Sequence, residues 1–381
     1  MAFIKKFIKW LLIILAGIIA LLYIFDYGYI IRGARIVYLT GHNTAFIDDY
    51  PYFDNDTIKK GTNTNPWPLH TKYNTVNETK KLSSVNKEWG TIAFLIIKND
   101  SIWFEKYYEG FNETSKTNSF SMAKSITTSL LGKAIMDGYI SGLDQPISDF
   151  YPQYSYAKTT VGDLASMSSG LDWIEHYTSP FSVTARANYD NDLAETILNQ
   201  KVVTTPGKEF EYLSGNTQLL GMIIQKATGK PLANYLSESF WEPMGASDDA
   251  LWQLDDPKHR LAKTFCCISS NARDFARFGK LYKDFGAWNG KQLLDSSYVV
   301  KSITPRFKES PQYGYGWWLK DVGNKHFFMM RGHLGQYVMV EPNDNLIIVR
   351  LGHRKSPDEP INDFTQDITV YIEEAYKMLN K

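Results

Sequence analysis

Strand signals occur near both ends of the segment that runs from residue 91 to the C-terminus, and they enclose a long helical region. The apolar and alternating runs predict strands at 92–97, 101–110, 326–330, 336–342 and 346–352. A turn at Asn99-Asp100 joins the first two into a hairpin, and an amphipathic helix over about 361–378 closes the chain. Strands from both chain ends imply one antiparallel sheet. We therefore expect an α+β fold whose sheet is flanked by helices, with a mostly helical sub-domain on one side.

The length of 381 residues leaves room for this body and for an appendage, because single cores usually stop growing near about 250 to 300 residues. We expect an N-terminal segment at 1–31, an extension at 32–90 packed on the body, and the body at 91–381. Its sheet should come from 91–120 and 300–381, and its helical sub-domain from 121–299. Residues 36–90 are rich in Asn, Thr, Asp, Tyr and Pro and predict irregular structure.

The stretch Trp10–Phe25 carries no charge, and Lys5, Lys6 and Lys9 precede it. Its length lies between a signal-peptide core and the roughly 20 residues that span a bilayer. Because no small-x-small cleavage site follows, we interpret residues 1–31 as an uncleaved signal anchor, a transmembrane helix with its N-terminus in the cytoplasm. The body is then expected outside the cytoplasm, in the periplasm or at the cell surface. A buried helix is the weaker alternative, since the run lacks a polar stripe.

Composition argues against several classes of partner. Forty-one basic residues balance forty-one acidic ones, so no net field draws the protein to nucleic acid. The seven histidines lack metal-site spacing, and we expect neither a metal nor another cofactor. The adjacent Cys266 and Cys267 cannot form a metal cage, and a disulfide between them would be strained, so we expect two small buried apolar residues.

Ser-x-x-Lys occurs three times, beginning at Ser84, Ser121 and Ser155. A lysine can take a proton from a serine only if both share a helical face and the ammonium group is desolvated. Only the copy at Ser121 opens a helix of small and apolar residues, SMAKSITTSLLGKAIMDGYI, with Lys124 one turn on. This context predicts Ser121 as nucleophile, Lys124 as its base and the Ser121 N–H as an oxyanion donor. The alternative is a plain N-cap serine and a solvated lysine.

The run FSMAKSITTSLLGKAI resembles the active-site helix of the β-lactamase-related serine hydrolases, which include class C β-lactamases, D-Ala-D-Ala carboxypeptidases and esterases. Thr160–Leu171 (TVGDLASMSSGL) looks like the helix and turn that follow it in that family. Tyr313–Trp318 (YGYGWW) looks like the strand entry before the third motif. The resemblance covers about residues 90 to 380 and implies a β-lactamase/transpeptidase-like fold that needs no cofactor.

The same resemblance assigns the second motif. The family's Tyr-x-Asn is represented by Tyr212-Leu213-Ser214 ahead of a Leu-Leu-Gly run at 219–221, which is similar to the 6-aminohexanoate-dimer hydrolase branch. Tyr212 would hydrogen-bond Ser121 and Lys124 and return a proton to the leaving group. Ser214 would add one hydrogen bond beside it.

The third motif, Lys-Thr-Gly, is absent, and Gly332-His333-Leu334-Gly335-Gln336 takes its place. The resemblance implies a catalytic His333, a Gly335 that lets substrate approach the strand edge, and a second oxyanion donor in the N–H of Gln336. Four aromatic residues near the motifs are candidates for an apolar cleft, although core packing is the alternative for at least half of them: Trp173, Tyr177, Trp317 and Trp318.

Together the motifs predict a hydrolase that cleaves an amide or ester bond of a small molecule through an acyl-enzyme on Ser121. A neutral imidazole at 333 cannot hold a carboxylate as an ammonium group does, so we expect small linear amides or esters to be favoured over penicillins. The alternative is a membrane-anchored penicillin-binding-type sensor without turnover, against which intact Ser121, Lys124 and Tyr212 argue. A lipase-type α/β-hydrolase is excluded because the sequence has no Gly-x-Ser-x-Gly.

Overall fold

The computed structural model describes Met1 and residues 3–381. The helices are α1 (Ala2–Ile24), α2 (Gly28–Val37), α3 (Lys80–Glu88), α4 (Met122–Met136), α5 (Val161–Ala165), α6 (Val183–Tyr189), α7 (Leu193–Leu198), α8 (Ser214–Thr228), α9 (Leu232–Leu236), α10 (Ala272–Lys283), α11 (Ser296–Ser302) and α12 (Gln366–Leu379). The strands are β1 (Asn55–Ile58), β2 (Thr91–Lys98), β3 (Ser101–Tyr107), β4 (Thr117–Asn118), β5 (Ala250–Gln253), β6 (Ile268–Ser270), β7 (Ala287–Trp288), β8 (Lys291–Gln292), β9 (Trp318–Val322), β10 (Lys325–Gly332), β11 (Gln336–Glu341) and β12 (Leu346–Gly352).

The large sheet joins the two ends of the body, as the sequence predicted. Its six strands lie in the order β3-β2-β12-β11-β10-β9, and every neighbouring pair is antiparallel. Helix α10 packs on one face, and α3 and α12 cover the other. The central strands β2 and β12 are therefore buried on both faces, which explains their continuous apolar runs. The expected α+β fold is confirmed.

Residues 36–90 are more regular than their composition suggested. Thr79 caps α3 by accepting a hydrogen bond from the Leu82 N–H at 3.0 Å, and Leu82 and Val85 are buried. Strand β1 pairs with β5 in a second antiparallel sheet, of order β1-β5-β6-β4. The expectation of irregular structure was wrong here because α3 has nine residues and β1 has four, which is too short to show a period among polar neighbours.

The N-terminal segment forms two helices. Phe3–Ile24 is long and apolar enough to cross a membrane by length and composition, and its large side chains are exposed. The chain then turns at Asp26, where φ is 60°, and α2 begins at Gly28. Tyr29 and Val37 of α2 are buried against the body. The expected boundary at residue 31 therefore falls inside a helix that packs on the body.

Helix α4 occupies the middle of the molecule, packed between α8 and β10. Ser125 Oγ donates to the Gly316 carbonyl at 2.6 Å, which fixes the helix against the entry to β9. Gly316 has φ of 83°, and a Cβ there would lie 2.0 Å from Thr128 Oγ1, so only glycine fits. Helix α4 is thereby held against the entry to β9.

Candidate active site

Ser121 lies at the N-cap of α4, and a sharp turn delivers it there. Phe120 has φ of 44°, an uncommon value for a non-glycine residue, and its N–H donates to Asn118 Oδ1 at 2.8 Å. One turn further on, Lys124 Nζ donates to Ser121 Oγ at 3.1 Å and to the Phe265 carbonyl at 2.9 Å. The two side chains share a helical face and touch, as a serine and its base must.

The environment of Lys124 favours loss of its proton. The residue is 1% exposed. Burial lowers the pKa of Lys124 to about 8, and the negative charge of Glu175 opposes that shift. The alternative of a solvated helix lysine is therefore wrong, and the amine has a pKa suited to a general base near neutral pH.

Glu175 is a member of the site that sequence reasoning missed. Its carboxylate accepts from the Ser214 N–H at 2.6 Å and from Ser214 Oγ at 2.8 Å. Ser214 Oγ in turn accepts from Lys124 Nζ at 3.2 Å, and Trp173 Nε1 donates to Glu175 Oε2 at 2.8 Å. A buried chain of hydrogen bonds thus links Ser121 to a carboxylate 54 positions away in sequence. Glu175 lies outside the three motifs, so the only sequence signal was its nearness to Trp173.

Tyr212 lies beside Ser121 and Lys124 within an aromatic cluster. Its ring is 5.0 Å from that of Trp318, and Lys124 Nζ is 5.0 Å from the centre of the Tyr212 ring. Burial raises the pKa of Tyr212, while its contact with Ser121 works in the opposite direction. The phenol is therefore protonated at neutral pH and suited to donate or relay a proton rather than to start as a base.

His333 lies on the exposed wall of the cavity that contains Ser121. Its ring packs edge-on against Phe120 at 5.4 Å and is stacked with Tyr177 at 6.2 Å. Partial desolvation of the ring and the positive charge of Lys355 lower the pKa of His333. The imidazole is neutral at pH 7, in agreement with the reasoning from the sequence.

Gly335 and Gln336 do not line the cavity that contains Ser121, so the structure does not support the roles expected of them. A Cβ at Gly335 would lie 2.3 Å from Arg350 Nη1, so this glycine accommodates arginine and not substrate. The buried Gln336 side chain donates to the Gly352 carbonyl at 2.7 Å. The physical reason is that residues 333–335 form the tight turn between β10 and β11, which separates Gln336 from the cavity side.

Gly332 occupies the position that was expected for Gly335. It lines the cavity at the end of β10, and a Cβ there would lie 2.2 Å from the Ser119 carbonyl oxygen. The backbone at Gly332 and His333 therefore lies directly against the chain that leads into Ser121.

The four candidate aromatic residues divide into two pairs. Trp318 and Tyr177 line the cavity, and Tyr177 is 61% exposed. Trp317 is fully buried, 4.1 Å from the ring of Tyr282, and Trp173 is buried behind Glu175. Two of the four thus belong to the cavity wall and two to the core.

The adjacent cysteines were expected as two small buried apolar residues, and the structure corrects this. Both are buried and line the cavity, but their sulfurs are joined in a disulfide. Cys267 has φ of 77°, so the left-handed backbone at this position accommodates the bonded pair. Phe265, which comes directly before the two cysteines, supplies the carbonyl that accepts a hydrogen bond from Lys124.

The other two Ser-x-x-Lys strings lie at the surface. Ser84 and Lys87 are exposed on α3, and Ser155 and Lys158 are exposed in a loop. Their exposure gives neither pair the desolvated helical setting that this chemistry requires.

Comparisons with known proteins agree with this geometry. A family model described as Beta-lactamase matches residues 85–370. The chain is similar to the 6-aminohexanoate-dimer hydrolase of Paenarthrobacter ureafaciens, with 26% identity over 303 residues that cover 71% of this chain and 75% of that protein.

Solved structures show the same fold. A Bacillus anthracis protein assigned as a 6-aminohexanoate-dimer hydrolase superposes with a TM-score of 0.69 at 20% identity, over 92% of this chain and 93% of that one. The D-amino acid amidase of Ochrobactrum anthropi SV3, in complex with L-phenylalanine amide, gives a TM-score of 0.60 at 17% identity, over 78% and 95%. Because the family model spans most of its length, the chain belongs to the beta-lactamase family of serine hydrolases.

Proposed function

We propose that this protein hydrolyses uncharged linear amides or esters through an acyl-enzyme on Ser121. The observation that carries the proposal is the buried contact of Lys124 with Ser121, because it pairs a hydroxyl with an amine whose pKa is lowered to about 8. The proteins named above as a 6-aminohexanoate-dimer hydrolase and a D-amino acid amidase support the reaction type.

The first step is attack of Ser121 Oγ on the substrate carbonyl while neutral Lys124 takes the hydroxyl proton. The hydrogen bond from Ser214 to Glu175 orients the Ser214 oxygen toward Lys124, so the amine is held in place as it becomes charged. Tyr212, which is protonated, passes a proton to the departing amine or alkoxide. Water then attacks the ester on Ser121. Tyr212 and Lys124 take the proton of the water and return a proton to Ser121 Oγ as the product leaves.

The developing oxyanion needs two N–H donors. The Ser121 N–H at the start of α4 is one. We assign the second to the N–H of His333 rather than that of Gln336, because Gly332 and His333 line the cavity against the chain leading into Ser121.

Substrate preference follows from the third motif. His333 is neutral and cannot fix a carboxylate as the usual lysine does, so penicillins should be poor substrates. The specificity constant should be compared across short-chain aryl esters, small linear amides, penicillins and D-Ala-D-Ala peptides. The cations Arg331 and Lys355 also line the cavity and could attract a carboxylate. The penicillins and D-Ala-D-Ala peptides, which carry a carboxylate, are therefore the substrates that decide the test. Efficient penicillin or D-Ala-D-Ala turnover would overturn this preference and leave Ser121 as the nucleophile.

We also propose that α1 anchors the protein in a membrane with the body on the outer side. The lysines before the apolar run and the exposed apolar surface of α1 support this. Protease added to intact cells should then digest the body. Recovery of a soluble form that lacks residues 1–30 would show instead that the segment is a cleaved signal peptide.

A further inference from the structure

The cavity at Ser121 does not end at the catalytic residues. It has a volume of about 520 Å³, within the range that holds a drug-sized molecule, and it continues to the N-terminal helix α2. Residues from one side of α2 and the position after it form this distant wall: Tyr29, Ile30, Gly33, Ala34, Val37 and Tyr38. One wall of the catalytic cavity is thus formed by a segment that lies outside the residues matched by the family model.

This wall is a fixed part of the fold. Gly33 packs so closely on Tyr189 of α6 that a Cβ would lie 2.9 Å from the ring. Arg186, also on α6, forms an ion pair of 2.6 Å with Asp26, at the junction of α1 and α2. Arg32 donates to the Asp255 carbonyl at 2.9 Å. These contacts hold the start and the middle of α2 against the body.

Two polar residues of the cavity wall near α2, Asp49 and Asn188, are engaged in hydrogen bonds with neighbouring groups. Asp49 Oδ1 accepts from Asn118 Nδ2 at 2.9 Å and from Gln253 Nε2 at 2.8 Å. Asn188 Nδ2 donates to the Thr184 carbonyl at 2.9 Å, and its own carbonyl accepts from Lys263. The surface that faces the cavity here is mostly aliphatic and aromatic, and it favours an apolar occupant.

We infer that the substrate carries a long aliphatic chain on its acyl side, and that this chain lies along α2 when its carbonyl reaches Ser121. The inference rests on the proposed function, because it names the class of ester or amide cleaved at the same serine. Helix α1 ends at Ile24, and only three residues separate it from the start of α2 at Gly28. The chain-binding end of the cavity therefore lies next to the membrane-proximal segment, where an amphiphilic substrate would be presented.

The test compares p-nitrophenyl esters from acetyl to dodecanoyl, with the full-length protein in phospholipid nanodiscs. Each methylene group that enters an apolar site should raise the specificity constant by about fourfold until the cavity is filled. Ala34→Trp should fill the end of the cavity, lowering the specificity constant for dodecanoyl at least about tenfold while changing that for acetyl less than about twofold. Leu39→Trp, at a site 82% exposed just after α2, is the matched control and should leave both unchanged.

A second measurement does not depend on turnover. In Ser121→Ala protein, 11-(dansylamino)undecanoate should bind with enhanced fluorescence, and the added Ala34→Trp change should weaken its affinity at least about tenfold. If none of the esters, whatever its chain length, acylates Ser121, the proposed function fails and this titration alone decides the inference. The inference is overturned if Ala34→Trp lowers acetyl and dodecanoyl turnover equally, or if the probe binds both Ser121→Ala proteins with the same affinity.

Discussion

Acylation of Ser121 should follow the deprotonation of Lys124, and the structure sets the scale of that dependence. With a pKa of about 8, about 10% of Lys124 is neutral at pH 7. An unshifted lysine would be neutral in only about 0.03% of molecules at that pH, so burial raises the reactive fraction about 300-fold. The specificity constant should therefore rise about tenfold per pH unit below pH 8 and level off above it.

The assay is the pH profile of the specificity constant for a neutral aryl ester, measured from about pH 6 to 9.5. A neutral substrate keeps the profile free of substrate ionisation. Lys124→Arg is the matched variant, since arginine keeps the positive charge but cannot be deprotonated. It should lose about 10²- to 10⁴-fold in rate. A flat profile, or an inflection near the ordinary lysine value, would refute the assignment of Lys124 as base.

The burial of Lys124 should also make the free energy of unfolding depend on pH. The folded pKa of Lys124 is lowered below its unfolded value, so the buried ammonium group destabilises the fold below pH 8 by about 3 kcal/mol. This penalty is relieved as the pH rises from 8 toward the unfolded pKa. Relative to Lys124→Met, the wild-type protein should gain about 2 kcal/mol of unfolding free energy between pH 7 and 9.5 in urea titrations. A pH-independent difference would contradict a desolvated lysine.

Four further variants test the roles of individual residues. His333→Ala removes the imidazole and keeps the backbone N–H that we assign to the oxyanion hole, so a rate lowered at least about tenfold on every substrate class would assign catalysis to the ring itself, whereas an effect confined to one class would show a substrate contact. Glu175→Gln removes the charge that raises the pKa of Lys124, so the acid limb of the pH profile should move to lower pH; an unmoved limb would limit Glu175 to a structural role. Ser84→Ala and Ser155→Ala should leave turnover and covalent labelling by an activated ester nearly unchanged, because both serines are exposed. Loss of labelling in either would reopen the choice of nucleophile.

The large sheet and its closing helix were accessible to sequence reasoning because their signals are long and locally consistent. The β2 and β12 runs consist of seven or eight residues, nearly all of them buried. Helix α12 repeats its apolar positions over 14 residues. The contact of Ser121 with Lys124 follows from helical spacing, because residues three positions apart share a helical face. The apolar context then distinguished this Ser-x-x-Lys sequence from the other two.

The parts that could not be predicted depend on tertiary contacts. Glu175 reaches Ser214 only because the chain folds back between α5 and α6, and no local spacing encodes that approach. In the third motif, the tight turn at 333–335 places Gly332 rather than Gly335 on the cavity side. The role of α2 depends on its packing against α6, whereas its sequence reads as the end of an apolar helix.

Intact-protein mass spectrometry after incubation with an activated ester tests the central claim most directly. The wild-type protein should gain the mass of one acyl group, mapped by peptide sequencing to Ser121, and should lose it again as product forms. Ser121→Ala should gain none. An adduct on another residue, or full turnover by Ser121→Ala, would contradict the mechanism, and an adduct on Ser121 that never hydrolyses would support the non-catalytic sensor instead.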